Sequence, residues 1–330
     1  MGWYGLSVGA APVIAPTIAG VLVDTLGWRT IFVIAFVVLM LSFLMALTTF
    51  DNVLETHVKR FDVSSFVLSA LAFGGITLGI GNLSALGITA FLTICPLVTG
   101  VIAGVLFTHR QLCLEEPFLN LRILKVQEYR LSVIGSMMLY LVMMGSSVIM
   151  PLYIQSILGK SATISGLVTL PGSLAMAVIS PLAGKIYDKI GMKRLAVAGT
   201  LMMMVSTFGM SFITLTTSVL FAALLNVIRS IAIGCLMMPF VTFGISSMEL
   251  KNTAHGTALL TSLRTIAGAI GTAVFVGILN VCGSGTKVAS YENLGIYGLH
   301  VTFGCMTAVT ILMLFIIIFG MKNKNGEADL

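Results

Sequence analysis

The sequence predicts an all-α membrane protein of about ten transmembrane helices, and three observations carry that expectation. Of the 330 residues, 58% are apolar and only 9% charged, against about 25% charged in soluble domains. With a mean hydropathy of +1.07, the chain cannot furnish a water-facing surface, so lipid must cover much of it. Apolar runs of about 20 residues, the length a bilayer core requires, recur from end to end. No segment alternates in polarity as a barrel strand would, so the runs are helices whose backbones are satisfied internally.

The runs lie near 3–23, 30–50, 63–83, 87–107, 131–157, 164–184, 194–214, 217–246, 256–281 and 299–320. If the first helix runs from cytoplasm to outside, the inner loops hold Lys59, Arg60, Arg110, Arg122, Lys125, Arg130, Lys185, Lys189, Lys193, Arg194, Lys251, Lys322 and Lys324. The outer loops hold Arg29, Lys160 and Lys287. That asymmetry makes the chain multi-pass with a cytoplasmic C-terminus. The net charge of +6 is then a topology signal and not a nucleic-acid footprint.

The first run contains GLSVGAAPVIAPTIAG, with Pro12 and Pro16 four residues apart. Each proline removes a backbone donor and crowds the carbonyl one turn back, at about 3 kcal/mol in a soluble helix. Gly5 and Gly9, then Ala11, Ala15 and Ala19, make small-residue rows that admit a second backbone. A bent helix sealing against an opposing bundle fits this pattern, and so does a kinked packing helix. Met1 leads straight into the span without a basic segment or cleavage site, which disfavours a signal peptide. The simplest reading is a sequence that starts partway through a longer protein.

Catalytic parts are missing. The five cysteines are scattered without metal-ligand spacing, and His57, His109, His255 and His300 stand far apart. Nothing assembles a nucleophile–base pair, a zinc site or a cofactor site, so an enzyme is disfavoured.

The most specific motif is GKIYDKIGMKR, between the sixth and seventh runs. Gly184 and Gly191 permit a tight turn between antiparallel spans. Asp188 suits a helix cap or a basic partner, while Lys189, Lys193 and Arg194 hold the segment in the cytoplasm. On physics alone it also fits an ordinary basic inner loop. The pattern resembles, at every position, the signature loop of the major facilitator superfamily, which joins the second and third helices of a six-helix bundle. It holds that place among the last six helices here.

The opening stretch is similar to the antiporter motif on the fifth helix of drug-exporting members of that superfamily. Gly2, Ala11, Ala15, Pro16, Ala19 and Gly20 fall on its positions, with alanine for glycine at 11, 15 and 19. DTLGWRTIF, Asp24 to Phe32, resembles the outer turn that follows. Counted from a fifth helix, the total resembles the fourteen-helix drug:proton antiporter family, with the first four helices absent. The resemblance implies that residues 1–50 are the last two helices of an N-terminal bundle. Residues 51–108 would then be two extra linker helices, and 109–330 a C-terminal six-helix bundle with a short cytoplasmic tail.

Asn226 and Arg229 stand one turn apart inside a span, where an arginine needs a partner or a cavity. A structural arginine satisfied by carbonyls is the alternative. Ser230 and Ala232 replace the glycines of a related family motif. Arg264 lies inside the ninth run, either facing the cavity or snorkelling to the interface. Tyr153 and Gln155 suit interfacial anchors. The 20 methionines suit either an adaptable drug surface or plain filler. Every acidic residue falls in a loop or at a span end, so no proton carrier is evident; in the family that acid often lies on the first helix.

These features predict a plasma-membrane transporter, exporting drugs or other small amphipathic compounds against protons by alternating access. Export of a peptide, lipid precursor or osmolyte also fits, as does a truncated membrane protein that no longer transports. The expected partners are the bilayer, a small-molecule substrate, protons and the missing N-terminal helices.

Overall fold

The computed structural model describes residues 17–49, 62–87, 89–114, 117, 119–249, 252–283 and 293–321. Helix α1 spans Thr17–Leu26, followed by α2 (Arg29–Thr49), α3 (Val63–Leu86) and α4 (Phe91–Cys113). A 3-10 turn (Leu121–Lys125) leads into α5 (Gln127–Leu152), which ends in a π turn (Tyr153–Ile157). The remainder is α6 (Ala162–Ile190), α7 (Met192–Met210), α8 (Val219–Ser246), α9 (Thr253–Gly283) and α10 (Leu294–Gly320). The described residues contain no strand. Eight helices, all of α2–α10 except α7, are long and apolar enough to cross a membrane, and Lys193 and Arg194 dilute the first turn of α7.

Side-chain oxygens start several helices by accepting from their orphan N–H groups. Asp62 accepts from the Ser65 amide at 3.1 Å, Ser161 from that of Ile164 at 3.3 Å, and Asn293 from that of Gly295 at 2.8 Å. Helices outrun the apolar runs. Helix α6 continues six residues past 184 to Ile190, and α7 begins at Met192. The whole turn between them is Gly191, whose φ of +78° is open to glycine and strained for other residues. This corrects the expected role of Gly184, which lies inside α6 with nothing within 4 Å of its absent Cβ.

Helices α5 to α10 share one core. Leu139 and Ile149 of α5, Met203 of α7, Leu236 and Phe240 of α8 and Phe303 of α10 are almost fully buried in it. Between helices in lipid, association rests on close packing and interhelical hydrogen bonds, since tails are as apolar as the side chains. Helix α8 is the hub, with buried residues running from Ala222 to Gly244. Helices α3 and α4 form a separate pair that crosses at Gly75 and Gly100: a Cβ on Gly75 would lie 2.6 Å from the Pro96 carbonyl. The pair meets the other helices through a second cluster, in which Phe107 packs with Ile123, Tyr129 and Leu259. Helix α2 buries none of its residues.

Where α3 starts, Asp62 also takes Arg110 of α4 at 3.0 Å. The Ser65 hydroxyl and amide, then the Arg110 guanidinium, lower its carboxyl pKa to about 2. Gln111 extends the network, donating to Ser65 Oγ at 2.7 Å and accepting from the Leu119 amide at 2.8 Å. These polar groups mark the end of the bundle opposite to the start of α6.

Candidate functional site

A cavity of about 650 Å³ lies where α1 meets α5, α6 and α8. That is within the usual range for small-molecule sites, about 300–1,000 Å³. Its position follows from local sequence. Helix α1 contributes small residues, Ala19 and Gly20, and Gly20 sits so close to α6 that a Cβ would lie 2.5 Å from the Ala162 carbonyl. Thr163 Oγ1 donates to the Gly20 carbonyl at 3.4 Å, and Thr17 Oγ1 to that of Gly166 at 3.3 Å.

The contact is fixed at one end by Asp24. Its two carboxylate oxygens accept from the backbone amides of Ala162 (3.2 Å) and Thr163 (2.6 Å), the first residues of α6. An anion on the exposed amides of a helix start is favourable both as a hydrogen bond and against the helix dipole. Here it comes from a segment 138 residues away, so sequence spacing offered no hint of it.

Six methionines (Met143, Met144, Met150, Met176, Met237 and Met238) form much of the wall. Their flexible thioethers give an apolar surface that adapts in shape. Other methionines, such as Met203, Met210 and Met306, are core filler. Two serine hydroxyls in the wall turn back on their own helix, Ser146 to the Met143 carbonyl and Ser147 to that of Met144.

Asn226 and Arg229 both line the cavity from α8, as their spacing predicts. Arg229 is only 4% exposed; its Nη2 donates to Asn226 Oδ1 and its Nη1 has no hydrogen-bond partner. No backbone carbonyl bonds it among the described residues. The small residue that α8 lacks at Ser230 is found across the interface in α6. A Cβ on Gly172 would lie 2.6 Å from Ser230 Oγ and 2.8 Å from Asn226 Nδ2. Arg264 is not among the described residues that line the cavity. Its guanidinium lies over the ring of Tyr140, 4.8 Å from the centroid, and Tyr140 is part of the wall. Gln155 also lines the cavity, whereas Tyr153 is buried in the core and is no interfacial anchor.

The motif from Gly184 to Arg194 lies away from the cavity, on the last turns of α6 and the first of α7. Asp188, Lys189 and Arg194 are exposed and Lys193 half-buried. Asp188 neither caps a helix start nor meets a basic partner among the described residues; Gly191 holds the position before α7. Pro12, Ala15 and Pro16 lie outside the described residues. No cluster of potential metal ligands occurs among the described residues.

The chain is 29% identical over 329 residues to an uncharacterized MFS-type transporter, YcnB, of Bacillus subtilis, covering 100% of this chain and 70% of that protein. It is 31% identical over 280 residues to the lincomycin resistance protein LmrB of Listeria monocytogenes, covering 85% of this chain and 59% of that one. The multidrug resistance protein Stp of Mycobacterium tuberculosis is 27% identical over 197 residues, 60% of this chain and 37% of its own length. The chain thus spans little more than half the length of LmrB and about two thirds of YcnB. The family model of the Major Facilitator Superfamily matches residues 1–272, most of the chain. With helices packed around a cavity and transporters as its relatives, the chain belongs to the major facilitator superfamily.

Proposed function

We propose that this chain serves proton-coupled export of drugs or other small amphipathic compounds across the plasma membrane. The observation that carries the reading is the methionine-walled cavity where α1 meets α5, α6 and α8. In this reading residues 1–50 close an N-terminal bundle, 51–108 are linker helices and 109–330 form the C-terminal bundle. The cavity then lies at the junction of two bundles, where rocking alternates access. Helix α1 with Ala19 and Gly20 acts as the seal, and the Gly184–Arg194 segment, with Asp188 at its centre, as the cytoplasmic gate. The names of the relatives, lincomycin resistance and multidrug resistance, support the drug class. The proton partner rests on the family resemblance.

The test is accumulation of lincomycin in everted membrane vesicles carrying the protein, driven by an imposed pH gradient. Uptake that an ionophore abolishes is the expected result. Equal uptake in vesicles without the protein overturns the reading. Orientation has its own test: a reporter fused after Lys324 behaves as cytoplasmic, and Cys282, half-exposed near the end of α9, reacts with a label added from outside.

A further inference from the structure

Building on the transport reading above, we infer that Arg229 is the anchor for an acidic group, so that the cavity takes amphipathic monoanions. The transport reading alone is silent on ligand charge. The cavity wall is not silent. Among the described residues that line it, Arg229 carries the only formal charge, and none is a carboxylate. A guanidinium buried in a membrane protein is costly unless paired. Asn226 is a neutral acceptor for one of its nitrogens, and Nη1 is left without a partner.

The nearest carboxylate along α1, Asp24, is engaged on the amides of Ala162 and Thr163 and does not line the cavity. A second cation, Arg264, lies behind the wall on Tyr140 and adds positive potential from that side. The rest of the described wall is thioether, small hydroxyl, aliphatic and Tyr140 ring surface, with the neutral carboxamides of Gln155 and Asn226. A permanent lipophilic cation entering here meets uncompensated positive charge, whereas a weak base such as lincomycin can enter as its neutral amine. A lipophilic body with one carboxylate pairs it with the Arg229 guanidinium, where charge-assisted bonds are about twice as strong as neutral ones, and lays the body on the methionines.

Three ligands of one shape decide the matter: naphthylacetate, its neutral amide naphthylacetamide, and the cation naphthylmethylammonium. Each is titrated by calorimetry into the full chain reconstituted in nanodiscs. The carboxylate is expected to bind about tenfold or more tightly than the amide, and the cation more weakly still. Arg229→Gln should bring carboxylate and amide to equal affinity, and Arg229→Lys should keep part of the preference.

Equal binding of carboxylate and amide to the unaltered protein overturns the inference, as does tighter binding of the cation. Absence of binding by all three, or a preference that survives Arg229→Gln, does so too. The first comparison needs no variant, so poor insertion of Arg229→Gln leaves the outcome decided. Lincomycin accumulation without an anion preference sinks this inference alone. An anion preference without gradient-driven accumulation sinks the transport reading and leaves the site standing.

Discussion

Asp24 and Asp62 make the same kind of bond in two regions and tie the chain together differently. Asp62 caps its own helix and holds Arg110 of the neighbouring one, within a pair of helices already locked by the Gly75–Gly100 crossing. Asp24 caps a helix that belongs to a different part of the chain, across the face on which the cavity lies. The first bond is redundant with its surroundings. The second is one of few polar bonds holding α1 on α6, and any motion that parts these helices must break it. The difference separates a bond inside one helix pair from one across a helix interface, which on the proposed rocking mechanism would bias one state over the other.

The sharpest way to break the comparison is Gly20→Leu. Even its Cβ would collide with the Ala162 carbonyl, so α1 cannot seat on α6. Transport per inserted molecule should fall about tenfold or more, with a passive leak of protons through vesicles. Gly74→Leu on α3, whose added Cβ meets nothing within 4 Å, should transport normally. Equal behaviour of the two variants would remove the seal.

Next in size is Asp24→Asn, which keeps one acceptor but loses the charge facing the α6 amides. The contact should loosen, so a cysteine placed at Ala19 should react faster with a water-borne maleimide while abundance stays unchanged. An unchanged rate assigns Asp24 to the fold, like Asp62. Asp188→Asn should reduce efflux with insertion intact if the segment gates the opposite end; normal efflux at normal expression sinks that role.

The smallest effect belongs to Asp62→Asn, which should leave transport untouched. Its pH behaviour sharpens the contrast. The folded carboxyl titrates near 2, below the ordinary 3.8, so its contribution is full above about pH 3.8 and is lost only as pH falls through 2. Thermal unfolding of wild type and variant should therefore show the same difference at pH 7 and at pH 5. A difference that vanishes by pH 5 would mean that the Asp62–Arg110 pair does not persist in solution.

The places of α2 to α10 were legible because hydropathy measures the thickness of lipid a helix must cross, although α7 falls short of that measure. Their ends were not. Lys185 and Lys189 stop the apolar run of α6 but not its hydrogen bonds, so the helix runs on to Ile190 and turns on Gly191. Arg229 stood out as a charge in an apolar segment, and its lack of a partner emerged only when α1, α5 and α6 were in place. The small residues of α1 announced a close approach without naming what approaches. The Asp24 cap and Gly172 were invisible, since each depends on an interface between helices far apart in sequence.

The π turn at the end of α5 has a consequence for the rim of the cavity. There the Leu158 amide bonds back five residues to Tyr153 and the Lys160 amide six to Ile154, each at 3.0 Å, so one turn holds an extra residue. The widened turn spreads the last residues of α5 over a longer arc than an ordinary α turn would. Gln155 lies within it and lines the cavity, whereas Tyr153 and Ile154, at its start, are buried in the core. The end of α5 therefore gives the rim of the cavity a polar side chain without withdrawing its two neighbours from the core.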